Sequence, residues 1–302
     1  MTQHSSEEQV NHLSDKIWDI ANLLRGPYRP PQYRKVMLPI TVLRRFDSVL
    51  APNSEEISNL LQSVPNQNDE NVILQLLKNN TNKDIKSLSF YNTSAYNFKT
   101  LREDPENIAE NLIAYINGFN PTTRKIFDRF HFIEEIEKLE EFNILHQLIV
   151  LMSDINIHPN TIDQVHMGYL FENLIRRFNE QANEEAGDHF TPREVVELII
   201  KILTTHDHFN FAEGKIVKVY DPTCGTGGIL AKADDVLKRL NQDCEVELYG
   251  QEYNDEAHAI CSADLMIKGY DSKNICYGDT LGVGREKDDF KDGDGFPNKK
   301  FD

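Results

Sequence analysis

The chain has 302 residues, enough for two domains of ordinary size, and its 39% hydrophobic and 27% charged content suits a globular protein with its own core. A formal net charge of −17 argues against a chain that grips nucleic acid on its own, because phosphate contacts need a basic surface; another subunit would have to supply most of that grip. No run approaches the apolar length of a membrane span, Met1 to Val10 has no signal-peptide pattern and the four cysteines form no Cys-x-x-Cys pair, so no membrane, zinc or disulfide framework is expected and the cytoplasm is the expected compartment.

The first 158 residues read as helices. Between Ser6 and Arg25, apolar Val10, Leu13, Ile17, Ile20, Leu23 and Leu24 recur on one face. Gly26-Pro27 and Pro30-Pro31 then break the chain. A second helix is expected from Tyr33 to Leu50, with Pro39 kinking it or marking its true start. Arg44-Arg45, the most basic point of the early chain, reads as a solvated helix face or as a contact with DNA or a partner subunit. Ile57 to Val64 and Asp69 to Leu77 carry short helical patterns, and the polar stretch Asn79 to Ser94 reads mostly as loop. Pro105 to Ile116 predicts a helix with proline in its first turn, ended by Gly118. Pro121 to Phe132 and Ile133 to Met152 predict two more. His131, His146 and His158 share no ligand spacing and read as structural. His158-Pro159-Asn160-Thr161 marks the expected boundary between a helical domain, 1–158, and a second domain, 159–302.

Thr161 to Asn183 reads as one long helix, followed by an acidic, polar loop to Asp188. Thr191 then reads as an N-cap, Pro192 as the first helical residue and Glu194 as the capping-box partner. The run Ile216 to Tyr220 predicts a strand and Ile229 to Leu240 a helix. Between them lies Asp221-Pro222-Thr223-Cys224-Gly225-Thr226-Gly227-Gly228. Glycines on such a turn let backbone approach a ligand, and the helix start offers unpaired N–H groups. The turn lacks the Gly-Lys-Ser or Gly-Lys-Thr of a phosphate loop, and the dinucleotide spacing fails because its last slot falls on Leu230. Glu245 to Glu252 predicts the second strand. Glu252 stands at its C-terminal end, the edge where ligands bind in an open α/β sheet and where a carboxylate can accept ribose hydroxyls. Asn254 caps a further helix that runs to Gly269, and Asn274 to Thr280 forms the third strand and its exit.

Asp-Pro-x-Cys-Gly-Thr-Gly-Gly resembles the S-adenosylmethionine loop of amino-type DNA methyltransferases. Phe190-Thr191-Pro192-Arg193, about 30 residues earlier, resembles the segment that precedes that loop in adenine-N6 enzymes. Lys16-Ile17-Trp18, Leu23-Leu24-Arg25-Gly26, Leu38-Pro39-Ile40, Leu43-Arg44-Arg45-Phe46-Asp47 and Phe119-Asn120-Pro121 are similar to the helical N-terminal domain of type I restriction–modification methylation subunits. Gly168-Tyr169-Leu170-Phe171-Glu172 is similar to the helix leading into their catalytic domain. The resemblance implies an α + α/β architecture: a helical N-terminal domain, then a Rossmann-like S-adenosylmethionine-dependent methyltransferase domain. It implies that S-adenosyl-L-methionine is held by Asp188, His189, Phe190, Thr191, Pro192 and Arg193 before the loop, and by Asp221, Pro222, Thr223, Gly225, Thr226, Gly227 and Gly228 within it. Glu252 and Asp279 complete the set, the latter accepting from the adenine amine. Phe190 would flank the methionine part and Thr191 would meet the cofactor carboxylate. Tyr253 would lie along the adenine ring or simply pack. The implied activity is adenine-N6 methylation of DNA, and the implied partners are a specificity subunit, a restriction subunit, a second modification subunit and double-stranded DNA.

The family's Asn-Pro-Pro-aromatic signature occurs nowhere in these residues. In the family its Asn side chain and a Pro carbonyl accept the two N6 hydrogens and localise the nitrogen lone pair, while the aromatic stacks on the flipped base. No catalytic residue is therefore assigned. The chain is expected to be the N-terminal domain plus the cofactor half of a methyltransferase, truncated before its catalytic motif, binding cofactor weakly and inactive alone. The alternatives are a non-catalytic cofactor-binding scaffold and a stand-alone RNA or protein methyltransferase. The helical N-terminal domain argues against the last.

Overall fold

The computed structural model describes residues 3–64, 69–182, 191–205, 216–241, 243–268, 270–287 and 289–302. They fall into two compact units, Met1–Ala186 with Met266–Gly269, and Gly187–Leu265 with Tyr270–Asp302.

The first unit is helical: α1 (Gln3–Ala21), α2 (Arg34–Leu50), α3 (Ser54–Gln62), α4 (Glu70–Lys78), α5 (Lys83–Lys86), α6 (Phe98–Glu103), α7 (Ile108–Asn117), α8 (Pro121–Arg129), α9 (Phe132–Glu141), α10 (Leu145–Ser153) and α11 (Gln164–Ala182). Its centre is α2, buried from Val36 to Leu43 without a break, so it is enclosed on all sides rather than along one stripe. Pro39 lies inside α2 and neither ends nor starts it; the proline withholds one N–H from the ladder, and the surrounding core keeps the helix whole. Phe46 meets the rings of Phe90 at 4.6 Å, Phe119 at 5.7 Å and Phe127 at 6.1 Å.

Two local expectations are corrected. Pro105 stands before α7, whose N-cap is Asn107. The run Ile133 to Met152 is two helices, because Asn143 takes a left-handed φ of 57° and ends the first. The polar stretch Asn79 to Ser94 is mostly loop, as expected, and holds the short α5, capped by the side chain of Asn82.

Arg44 and Arg45 are neither a solvated face nor a free basic patch. Arg45 is 1% exposed; its Nη1 donates to the Ile162 carbonyl at 3.0 Å and to the Ile157 carbonyl. Arg44 donates from Nε to the Ile155 carbonyl at 3.0 Å, from Nη2 to the Ser153 carbonyl at 3.1 Å and from Nη1 to Asp47 Oδ2 at 2.6 Å. Two guanidinium groups thus satisfy four main-chain carbonyls between Ser153 and Ile162. Beyond that segment, α11 packs back on α1: Trp18 lies 5.3 Å from Phe178, and Arg177 sits 5.8 Å over the indole. The compact helical unit therefore continues past residue 158 through α11, because α11's apolar face finds its partner there.

The second unit is built from α12 (Arg193–Thr204), β1 (Ile216–Asp221), α13 (Gly228–Leu240), β2 (Glu245–Glu252), α14 (Asp255–Ile267), β3 (Ile275–Tyr277), β4 (Glu286–Lys287) and β5 (Phe290–Lys291). The sheet order is β1-β2-β3-β5-β4, with β1, β2, β3 and β5 parallel and β4 antiparallel to β5. The β4–β5 hairpin lies in a stretch whose polar composition hid it. Val217, Val246 and Leu248 share one apolar core with Leu230 and Leu237 of α13 and Cys261 and Leu265 of α14. Both crossover helices therefore cover one face, as a β1-β2-β3 order with same-handed crossovers requires. The opposite face, Tyr220 and Tyr249, is covered among the described residues by the chain's own 294–302 segment. Phe301 stacks on Tyr220 at 4.7 Å, and Phe296 meets Tyr249 edge-on at 5.2 Å.

Candidate functional site

β1 and β2 are parallel with Asp221 opposite Gly250, so both strands deliver their C-terminal ends to one edge. The glycine turn leaves β1 there. Gly225 (φ +55°) and Gly227 (φ +90°) take left-handed conformations that L side chains adopt only at a cost. A Cβ built on Gly225 would meet nothing within 4 Å, so that side of the turn is open. The Gly225 N–H donates to Glu252 Oε2 at 2.9 Å, which ties the turn to the end of β2. Glu252 Oε1 accepts the N–H groups of Tyr253 at 2.9 Å and Asn254 at 2.8 Å. Gly228 opens α13, whose first-turn N–H groups have no intrahelical acceptors. Thr280, at the exit of β3, donates its hydroxyl to the Pro222 carbonyl and closes the edge from the third strand.

Asp221 is buried. Its Oδ1 accepts the Thr223 N–H at 3.1 Å, while Oδ2 has no hydrogen-bond partner. Burial pushes the carboxyl above its ordinary range and the nearby Glu252 charge adds to this; the Thr223 N–H works against it. Pro222 and Thr223 are exposed, and Thr226 is half-buried.

The structure thus brings Asp221, Gly225, Gly227, Gly228 and Glu252 to one edge, with Asp279 next to Thr280. Asp279 is half committed: its Oδ1 accepts the Leu281 N–H at 3.0 Å, and its Oδ2 lies 3.5 Å from Arg285 Nη2. Asp188, His189 and Phe190 lie outside the described residues. Thr191 and Pro192 are described and exposed, and α12 packs against α13. The capping reading there is corrected. Pro192 is itself the N-cap, with φ −53° and ψ 140°, and no side chain caps the helix. Its fixed φ suits that position, and its carbonyl accepts the N–H groups of Val195 and Val196, which leaves Thr191 one residue outside. Arg193 begins the helix.

Sequence reasoning passed over Gln251, Thr280, Leu281, Val283 and Cys261. Leu281 and Val283 are 89% and 92% exposed beside Asp279, an apolar pair on a loop that its polar neighbours disguised. Gln251 offered a signal, a neutral amide on a strand next to the acid; it is fully buried.

The site suits S-adenosylmethionine on its own chemistry. It offers an open glycine cradle, helix-start N–H groups suited to a carboxylate, a strand-end carboxylate suited to hydroxyls and a buried carboxylate with one unused oxygen. Among the described residues no cluster of metal-ligating side chains occurs, and no helix is long and apolar enough to cross a membrane.

Comparison with known proteins agrees. A model of the HsdM N-terminal domain matches residues 13–152, and a model of the N-6 DNA Methylase family matches residues 162–299. The chain is 26% identical to the type I restriction enzyme MpnII methylase subunit of Mycoplasma pneumoniae, over 91% of this chain and 53% of that protein. It is 22% identical to the MjaIX methylase subunit of Methanocaldococcus jannaschii, over 89% of this chain and 48% of that protein. The crystal structure of a type I restriction–modification methyltransferase subunit from Streptococcus thermophilus superposes with a TM-score of 0.59 at 17% identity, covering 90% of this chain and 59% of that one. The parallel sheet, the glycine turn after β1 and the acid closing β2 define the class, an α/β methyltransferase fold of the S-adenosylmethionine-dependent kind. The chain spans about half the length of the relatives it matches. Its first half carries an HsdM N-terminal domain and its second an N-6 DNA methylase domain, and the relatives it resembles are type I restriction enzyme methylase subunits.

Proposed function

We propose that this chain carries the cofactor site and the assembly domain of a type I modification subunit that methylates adenine N6 in DNA. The observation that carries the reading is the 2.9 Å bond from the Gly225 N–H to Glu252, which joins two separate sequence motifs into one edge. S-adenosylmethionine, when bound, supplies an electrophilic methyl group. Glu252 would orient the ribose through its hydroxyls, using the Oε2 acceptor capacity left beside Gly225. Asp221 would offer its unused oxygen to a cationic donor, the α13 start would face the cofactor carboxylate, and Asp279 would accept from the adenine amine. Thr191 and its neighbours from Asp188 to Arg193 would close the methionine end.

The partners we propose are a specificity subunit, a restriction subunit, a second copy and double-stranded DNA. The −17 charge supports delegated DNA recognition, since it leaves phosphate contacts to another chain. Titration calorimetry with S-adenosylmethionine tests the cofactor reading directly. Wild-type chain should bind, and Glu252→Ala should lose at least tenfold in affinity, about 1.4 kcal/mol or more. Unaltered binding by Glu252→Ala would remove the reading.

A further inference from the structure

Behind the glycine turn stand two sulfurs that no cofactor contact requires. Cys261, on the middle of α14, is fully buried. A Cβ built on Gly227 would lie 2.9 Å from Cys261 Sγ, 3.7 Å from its Cβ and 3.8 Å from its Cα. Gly227, in its left-handed conformation, therefore lies so close to this residue of α14 that no side chain fits between them. Cys224 Sγ lies 3.9 Å from Cys261 Sγ. On its other side Cys224 fills the space over Gly250, where an added Cβ would lie 2.8 Å from that sulfur. Main-chain bonds fix the same junction: the Cys224 N–H donates to the Gln251 carbonyl at 2.9 Å, and the Gly227 N–H donates to the Cys224 carbonyl at 2.8 Å. Two glycines, one on the turn and one on β2, thus make room for a pair of thiols wedged between sheet, turn and helix.

We propose that Cys261 is a positioning residue for the cofactor turn: its side chain is the stop against which Gly227 seats, and so it sets how deeply the turn sits between α14 and the end of β2. The inference rests on the cofactor reading of this edge and adds a residue remote from the ligand. A stop of this kind has a size requirement. Sulfur reaches Gly227 without a second branch, so serine, of nearly the same shape, keeps the seat. A β-branched residue drives an extra methyl into the turn. The neighbouring Cys224 thiol is pushed well up by the Cys261 sulfur beside it and by burial, so it stays protonated and behaves as packing rather than as a nucleophile.

The test is S-adenosylmethionine affinity by calorimetry, with thermal melting on every variant. Cys261→Ser should bind within about threefold of wild type, and Cys261→Val at least tenfold more weakly, with both showing a cooperative melt. Should the valine variant fail to fold, the decisive pair is Gly227→Ala with and without Cys261→Ala. The methyl added at 227 meets the sulfur at 2.9 Å in the first and only the Cβ of residue 261 at 3.7 Å, an ordinary contact, in the second, so the double variant should regain at least threefold in affinity over Gly227→Ala. Equal affinities within that pair would overturn the proposal, as would valine binding like wild type. A wild-type chain that binds no cofactor would instead bring down the cofactor reading itself.

Discussion

Replacing Arg45 by methionine should destabilise the helical unit by about 2 kcal/mol, about 4 for two stranded carbonyls less about 2 for the guanidinium's own desolvation. The side chain is 1% exposed and its Nη1 serves two main-chain carbonyls, Ile157 and Ile162, that flank His158-Pro159-Asn160-Thr161. Methionine keeps much of the volume and leaves both carbonyls without their donor, at about 1 to 3 kcal/mol each. Part of this is returned, because a buried guanidinium carries its own desolvation cost, roughly a couple of kcal/mol. Trp18 is the single tryptophan and packs on Phe178 of α11, the helix that follows the clamped segment, so its fluorescence reports this unit's unfolding. With a urea slope of about 2 kcal/mol per molar, the midpoint should fall by about 1 M. A Trp18 midpoint within about 0.3 M of wild type would show that the carbonyls find other donors at no cost, and the clamp argument would be wrong.

Asp221→Asn should stabilise the second unit at neutral pH by about 1 kcal/mol, since it replaces a buried, half-bonded carboxylate with a neutral group. The sign follows from the raised folded pKa: the wild-type carboxyl contributes fully below its unfolded value, and that contribution is lost as pH climbs through the folded one. The gap between the two proteins should therefore close as melts are run from pH 8 down to pH 4 (about the unfolded carboxyl value), and a constant gap would contradict the burial argument. Gly225→Ala should cost only about 1 to 2 kcal/mol of stability, all of it from the left-handed φ, because no atom lies within 4 Å of the added methyl. The same methyl fills the cradle, so S-adenosylmethionine affinity should drop at least tenfold; unchanged affinity by calorimetry would place the ligand elsewhere.

Much of this was legible in the sequence where one physical signal dominated. Ile216 to Asp221 and Glu245 to Glu252 are strands because β-branched and apolar residues alternate between clear breakers, and the glycine turn lies between strand and helix as its residues demand. Long-range partners were not legible. Arg44-Arg45 looks like a surface pair until Ile155, Ile157 and Ile162 arrive from more than a hundred residues away. Thr191-Pro192 fits two capping schemes, and only the backbone angles choose between them. Asn143 is a single residue leaving a periodic pattern, and the β4–β5 hairpin lies in a polar stretch with no period to read.

The two residues that end β2 explain why the edge is rigid as well as why it is placed. Neighbours on a strand point to opposite faces, so Gln251 and Glu252 act in opposite directions from one point of backbone. Glu252 takes the Gly225 N–H on the side of the glycine turn. Gln251, fully buried, donates from Nε2 to the Gly293 carbonyl at 2.8 Å and accepts at Oε1 from the Gly295 N–H at 2.9 Å and the Tyr220 hydroxyl at 3.2 Å. The Gly293 N–H in turn donates to the Asp279 carbonyl at 2.9 Å. One dipeptide therefore fastens the turn on one side and, on the other, the returning chain that carries Asp279. A buried amide bonded through both its oxygen and its nitrogen rigidifies what it bridges, because each lost bond would leave a polar group stranded away from water. Glu252 and Asp279, the acids proposed for the ribose and the adenine, are thus referenced to the same strand end, through main-chain bonds and one buried side chain.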